Sequence, residues 1–210
     1  MQSWGTQGRF GYRDTDLEPS KSGVIGLVGA ALGVPRGDDP TLAKLARLSM
    51  AVRVDQEGKV LCDYHTAGGG TYRGTPHSVF GTDATVVTTR YYLTDACFVV
   101  ALSSDEREFI ERVCAALKNP RWLLFLGRKS CVPTRPVFLA GPVAGEAAAL
   151  LSAVPWQAQS EARLHRPLRC IIEDAAGNPR PDLPRSFDTY ARRFDNRFVR
   201  EEWIDSSSLP

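Results

Sequence analysis

The feature that most limits how this chain can fold is a long polar interruption between two strands. Met50-Ala51-Val52-Arg53-Val54 alternates as a strand does, and Ala96 to Leu102, with Phe98, Val99 and Val100, forms a second apolar strand. Between them, Gln56 to Arg90 holds few large apolar residues but includes Gly68-Gly69-Gly70 and Tyr72-Arg73-Gly74. A structureless loop of that length is uncommon inside a compact domain and usually signals function or order on binding. A protruding hairpin accommodates it, with Val86-Val87-Thr88-Thr89 strand-like.

The flanking segments extend the pattern. Ser20 to Gly33 reads as a helix, N-capped by Ser20 or Ser22 and ended by Gly33 and Pro35. It is apolar nearly all round, so it belongs in the interior. Gly26 and Gly29 cost helix propensity and suggest a backbone crossing closely there. Thr41 to Leu48 is a short second helix. A third runs from about Ser104 to Lys118, capped by Ser103 or Ser104 and stopped at Asn119-Pro120. A strand, Trp122 to Leu126, follows. The expected fold is α+β: a helix, then strand, long hairpin, strand, helix, strand is most of a ferredoxin-like unit. The first strand of that unit is absent, because Met1 to Pro19 is polar and aperiodic. Glu146 to Val154 reads as an alanine-rich helix. Leu168 to Ile172 and Phe194 to Ile204 read as strands in a proline-punctuated remainder, and Ser206 to Pro210 as a disordered end.

A length of 210 residues suits one domain with a smaller appendage. Net charge is only +2, so a nucleic-acid role has to come from local patches. The five cysteines have no CxxC spacing, and the three histidines are scattered. That is no zinc pattern, and it suits free thiols in a reducing cytoplasm. The longest apolar run, Val24 to Val34, is too short to span a membrane. The expected location is cytoplasmic, with no cofactor and no metal.

Three motifs carry chemistry. Leu123 to Pro133 is an apolar run that stops at Gly127 and presents Arg128, Lys129 and Ser130; from Lys118 to Pro136 there are five cations and no acid. Glycine beside small or basic residues lets backbone N–H groups approach an anion. It is not a nucleotide P-loop, since Trp122 stands where the first glycine is required and Pro133 follows instead of a helix. A basic turn and a polyanion site remain. At the other end, Arg185, Phe187, Arg192, Arg193, Phe194, Arg197, Phe198 and Arg200 interleave cations with aromatics. That mixture suits phosphates and unpaired bases, or a surface strand whose rings face the core. Tyr64 and His65, with Arg73 or Lys59, could form an acid/base set for metal-independent RNA cleavage, stack on a base, or be plain loop polarity.

Met1-Gln2-Ser3-Trp4-Gly5, Pro19 to Leu27, Asp63-Tyr64-His65-Thr66, Tyr92 to Ala96, and Leu126 to Cys131 with Pro136 to Leu139 occur in one order. Together they resemble the Cas-five family, subtype I-E, of the RAMP superfamily, a family of CRISPR Cascade subunits. The agreement covers roughly Met1 to Leu139 and continues more weakly through Leu183 to Phe187 and the Arg/Phe tail.

The resemblance implies an RRM-type ferredoxin-like domain over residues 1–141. Its thumb hairpin would span about 67–90 and its glycine-rich loop 127–131, and a small β-rich subdomain would fill 142–210. It implies that the native chain starts upstream of Met1, where family members carry a first strand. It implies a non-catalytic subunit that caps the 5′ handle of a CRISPR RNA and bends it with the thumb. The partners would be that RNA, the backbone (Cas-seven-type) subunits, the large subunit and the target DNA held by the complex. Lys21, Ser22, Arg53, Arg73, Gly127, Arg128, Lys129 and Ser130 are then the expected handle contacts, with Tyr64 and His65 at the thumb base. The alternatives are an endoribonuclease using His65 and Tyr64, and a scaffold without RNA contact.

Overall fold

A computed structural model describes residues 1–8, 11–68, 85–158 and 167–210. In chain order the elements are β1 (Tyr12–Arg13), α1 (Lys21–Leu32), α2 (Asp39–Ala46), β2 (Ser49–Gln56), β3 (Lys59–Gly68), β4 (Thr85–Thr94), β5 (Cys97–Ser103), α3 (Arg107–Lys118), α4 (Ala147–Ala153), β6 (Pro167–Ser186) and β7 (Arg193–Asp205). The fold is α+β with two sheets.

The central sheet has the order β5-β2-β6-β7, with each adjacent pair antiparallel. β2 is buried on both faces. Met50, Val52 and Val54 meet Val24 of α1 with Ile171 and Val199, while Ala51 faces Leu151 of α4. Ile25, Val28, Leu42, Leu45, Phe109 and Val113 join α1, α2 and α3 in a second layer. The segment 142–210 contributes β6 and β7 to this same sheet, so residue 141 is not a sheet boundary. Among the described residues no strand of this sheet precedes α1.

β6 holds four prolines, and three of them, Pro179, Pro181 and Pro184, are tolerated because β2 pairs with it only over Cys170–Ile172. Beyond that point its second edge has no partner strand, so a missing N–H costs no ladder bond. Gly177 sits at a register shift, where a Cβ would lie 2.2 Å from the Val199 carbonyl oxygen.

The second sheet is the expected hairpin. β3 and β4 pair from Lys59↔Thr94 to Gly68↔Thr85. The thumb range 67–90 is thus partly seen, as one arm of a two-stranded ladder, and residues 69–84 lie outside the described residues. The N-terminal segment docks on this hairpin. Gln2 and Leu93 exchange both backbone hydrogen bonds at 2.8 Å, and Tyr12–Arg13 pairs with β4.

The signals that bracket α1 hold, while α3 starts at Arg107, with Glu106 instead of Ser103 or Ser104 at the cap position and no side-chain cap bond. The Ser20 hydroxyl accepts the Gly23 N–H, and Gly33 closes α1 at φ 75°. Three further expectations are corrected. The close approach to α1 is at Gly23, where a Cβ would meet the Trp4 ring at 2.8 Å; at Gly26 and Gly29 the nearest atoms are 3.9 Å away. Trp122 to Leu126 is not a strand: the Trp122 N–H and that of Arg121 before it donate to the carbonyls of Ala30 and Ala31 in the last turn of α1, Ala30 also accepting the Gly33 N–H. The C-terminal end is ordered, with a 3₁₀ turn at Ser206–Ser208 and Leu209 buried.

Candidate nucleic-acid interface

A cleft of about 1520 Å³ runs along α1. Its floor is the helix itself around Ser22, Gly23 and Gly26. The N-terminal segment with Trp4, Gly5 and Arg13, the Arg121–Lys129 segment and the β6–β7 connection line its walls. Seven cations line it: Arg13, Arg36, Arg90, Arg121, Arg128, Lys129 and Arg192. The one acid among the lining residues is Asp14, and its Oδ2 already accepts the N–H groups of Thr6 (3.3 Å) and Gln7 (2.9 Å). Asp14 keeps its charge, but one acid against seven cations leaves the cleft positive, which favours a polyanion.

The Leu126–Cys131 loop is closed by two backbone bonds, Leu126 N–H to the Cys131 carbonyl and Cys131 N–H to the Arg128 carbonyl, both 2.8 Å. Gly127 has φ 85°, and a Cβ there would lie 1.6 Å from the Ser3 carbonyl oxygen. The glycine is required for that crossing, and its N–H is taken by the Phe125 carbonyl at 3.0 Å. The N–H groups of Arg128, Lys129 and Ser130 have no acceptor among the described residues.

Arg128 is chiefly a strut. Its guanidinium donates to the carbonyls of Tyr91 (3.1 Å) and Asp14 (2.9 Å) and lies 4.8 Å from the centre of the Tyr92 ring. Lys129 and Ser130 are exposed beside it, and the Ser22 hydroxyl is half-buried on the floor. Arg90 enters from β4, held by a bond from its Nε to the Thr88 hydroxyl at 3.1 Å.

Two expected contacts are corrected. Arg53 is fully buried on the α4 side of β2, paired with Asp55 and donating to the carbonyls of Leu151, Val154 and Pro155. It closes the C-terminal end of α4, where helix carbonyls lack partners. Lys21 is also buried, its Nζ 2.8 Å from Glu173 Oε1. Arg73 lies outside the described residues. Tyr64 and His65 are neighbours on β3 and so point to opposite faces of the ladder. His65 shares a face with Thr88 and Arg90 and sits 3.6 Å from Asp63, while Tyr64 stands exposed on the other face. They cannot act on one atom together from this strand.

Sequence reasoning did not single out Arg13, Arg36 or Tyr190. Arg13 was hidden in a segment without periodicity, and Arg36 sits in a turn. Tyr190 falls between the arginine and phenylalanine positions of the C-terminal motif.

These features define a cationic cleft on an α+β scaffold, and the comparisons place it in a family. Residues 1–200 match the family described as CRISPR-associated protein (Cas_Cas5), and the chain belongs to that family. It is 38% identical over 152 residues to the CRISPR system Cascade subunit CasD of Escherichia coli (strain K12). That match covers 66% of this chain and spans 66% of the relative's length. A solved chain described as a CRISPR RNA-guided surveillance complex is 37% identical, with a TM-score of 0.79 over 97% of this chain and 86% of that one. Another, described as "Crystal structure of Cas protein", is 38% identical, with a TM-score of 0.75 over 100% of this chain and 92% of that one. The fold is the ferredoxin-like RAMP fold of these neighbours.

Proposed function

We propose that this chain is a non-catalytic CRISPR RNA-binding subunit of a Cascade surveillance complex in the cytoplasm, and that the cleft along α1 holds the 5′ handle of the guide. The observation that carries this reading is the cleft's charge: seven cations against one acid. Phosphates would be met by Lys129, Arg90 and Arg13 and by the free N–H groups of Arg128 to Ser130. The β3–β4 hairpin rises beside Arg90 and supplies the thumb that bends the strand. The guide RNA reads sequence, and this subunit holds geometry beside the backbone subunits, the large subunit and the target DNA.

The test is binding of the full chain to single-stranded handle RNA across a salt series. Affinity should fall with salt, and Lys129→Ala and Arg90→Ala should each lower the log–log slope by about 0.7. Binding that ignores salt and both substitutions overturns the reading. The RNA should be recovered intact with or without chelator; site-specific cleavage abolished by His65→Ala would instead favour the endoribonuclease.

A further inference from the structure

The β6–β7 connection also lines the cleft, and it is a well-braced turn. Phe187 and Phe194 meet at its base with ring centroids 6.3 Å apart, and Phe187 packs onto the core between α1 and α2. The Asp188 carboxylate accepts the N–H groups of Tyr190 (2.8 Å) and Ala191 (3.0 Å), while the Ser186 hydroxyl accepts the Asp188 N–H (3.2 Å). The turn is fixed from its base to its tip. Yet Tyr190 at that tip is 98% exposed, and Arg192 beside it is exposed as well.

A ring that no part of the fold covers adds nothing to burial, although the turn that carries it is well braced. Exposed aromatics on ordered supports next to cations are the elements that bind unpaired nucleic acid, because every base offers a π face. The charge of the same cleft favours a polyanion over an apolar protein segment.

The geometry points to Tyr190 as a stacking platform for an unpaired base of the RNA strand in the cleft, with Arg192 on a neighbouring phosphate. This rests on the RNA-binding reading above. The strand is thereby gripped at two places: phosphates at Arg128–Ser130, a base at Tyr190.

The experiment uses the full chain and single-stranded RNA in which 2-aminopurine replaces successive bases. Tyr190→Ala should weaken binding about ten-fold, leave the salt slope unchanged and abolish quenching at one 2-aminopurine position. Tyr190→Phe should retain affinity and quenching. Arg192→Ala should lower the salt slope by about 0.7. If Tyr190→Ala binds like the parent with the same quenching pattern, while Lys129→Ala still lowers the slope, stacking is overturned and RNA binding stands. If the parent chain binds no RNA, both readings fall. If Tyr190→Ala keeps RNA binding but loses a partner subunit, the turn is a protein contact and the stacking assignment is wrong.

Discussion

Arg53 and Asp55, two residues apart on β2, form a doubly bonded ion pair with neither side chain exposed: Nε to Oδ1 at 2.5 Å and Nη2 to Oδ2 at 2.9 Å. The remaining lone pairs and protons are also satisfied, since Asp55 accepts the Gln157 N–H and Arg53 donates to three carbonyls behind α4. Removing one partner of such a pair leaves an uncompensated buried charge, which costs about 3–5 kcal/mol. Arg53→Ala should therefore lower stability by that order in urea unfolding. RNA affinity per folded molecule should not change. A variant that unfolds like the parent but loses RNA would show that Arg53 reaches the ligand.

Arg128 and Lys129 separate structure from binding. Arg128→Ala removes two charge-assisted bonds to partly buried carbonyls and a ring contact, so thermal stability should drop, by about 1–3 kcal/mol. Arg128→Lys should not restore it, because one ammonium cannot span both carbonyls. Lys129→Ala should leave the melting temperature in place and weaken only RNA binding. Equal effects of the two on stability would contradict this division.

Two glycines on one helix should respond in opposite directions to the same change. Gly26→Ala meets only ordinary contact, at 3.9 Å from the Phe187 ring, and should stabilise α1 by up to about 1 kcal/mol. Gly23→Ala drives a methyl to 2.8 Å from the Trp4 ring and should lower the melting temperature. Calorimetry on the pair decides it, and two shifts of the same sign would refute the packing argument.

Much of the fold was legible because its signals are local. Ser20, Gly33 and Pro35 bracket α1 with cap chemistry, and the alternation at Met50–Val54 marks β2. The polar content of Gln56–Arg90 left a hairpin as the compact choice. What was not legible depends on partners remote in sequence. Trp122–Leu126 has the composition of a strand, but its first N–H is held by the last turn of α1. Lys21 reads as a free cation because nothing nearby announces Glu173. Arg53, by contrast, had a local signal in Asp55, two residues on along the same strand face, and only its carbonyl partners at Leu151 to Pro155 are remote. Arg13 and Tyr190 became site residues only when the fold brought the two ends of the chain to α1.

Asp16 gives a pH dependence with a definite sign. Burial, followed by repulsion from Asp14 and Glu18, outweighs the Thr6 hydrogen bond and the attraction of Arg180, and pushes its carboxyl from 3.8 up to about 6. The folded state therefore holds this proton more tightly than the unfolded chain does. The contribution of Asp16 to stability is greatest below 3.8 and is lost as pH rises through about 6. Asp16→Asn should melt higher than the parent at pH 8, with the gap narrowing between about pH 6 and pH 4. A gap that stays constant across that range would show that the carboxyl does not titrate there.

The crossing of Gly127 under the Ser3 carbonyl has a consequence for biosynthesis. The loop at residues 126–131 is completed by Ser3, far before it in the chain, and the cleft is lined further by residues from 187–194, far after it. Contacts of such sequence separation form late, since long-loop closure entropy must be overcome before they stabilise anything. During synthesis Ser3 waits for Tyr91 and Leu126, its hydrogen-bond partners. The cleft is thus a late product of folding, complete only once segments remote in sequence have docked on α1.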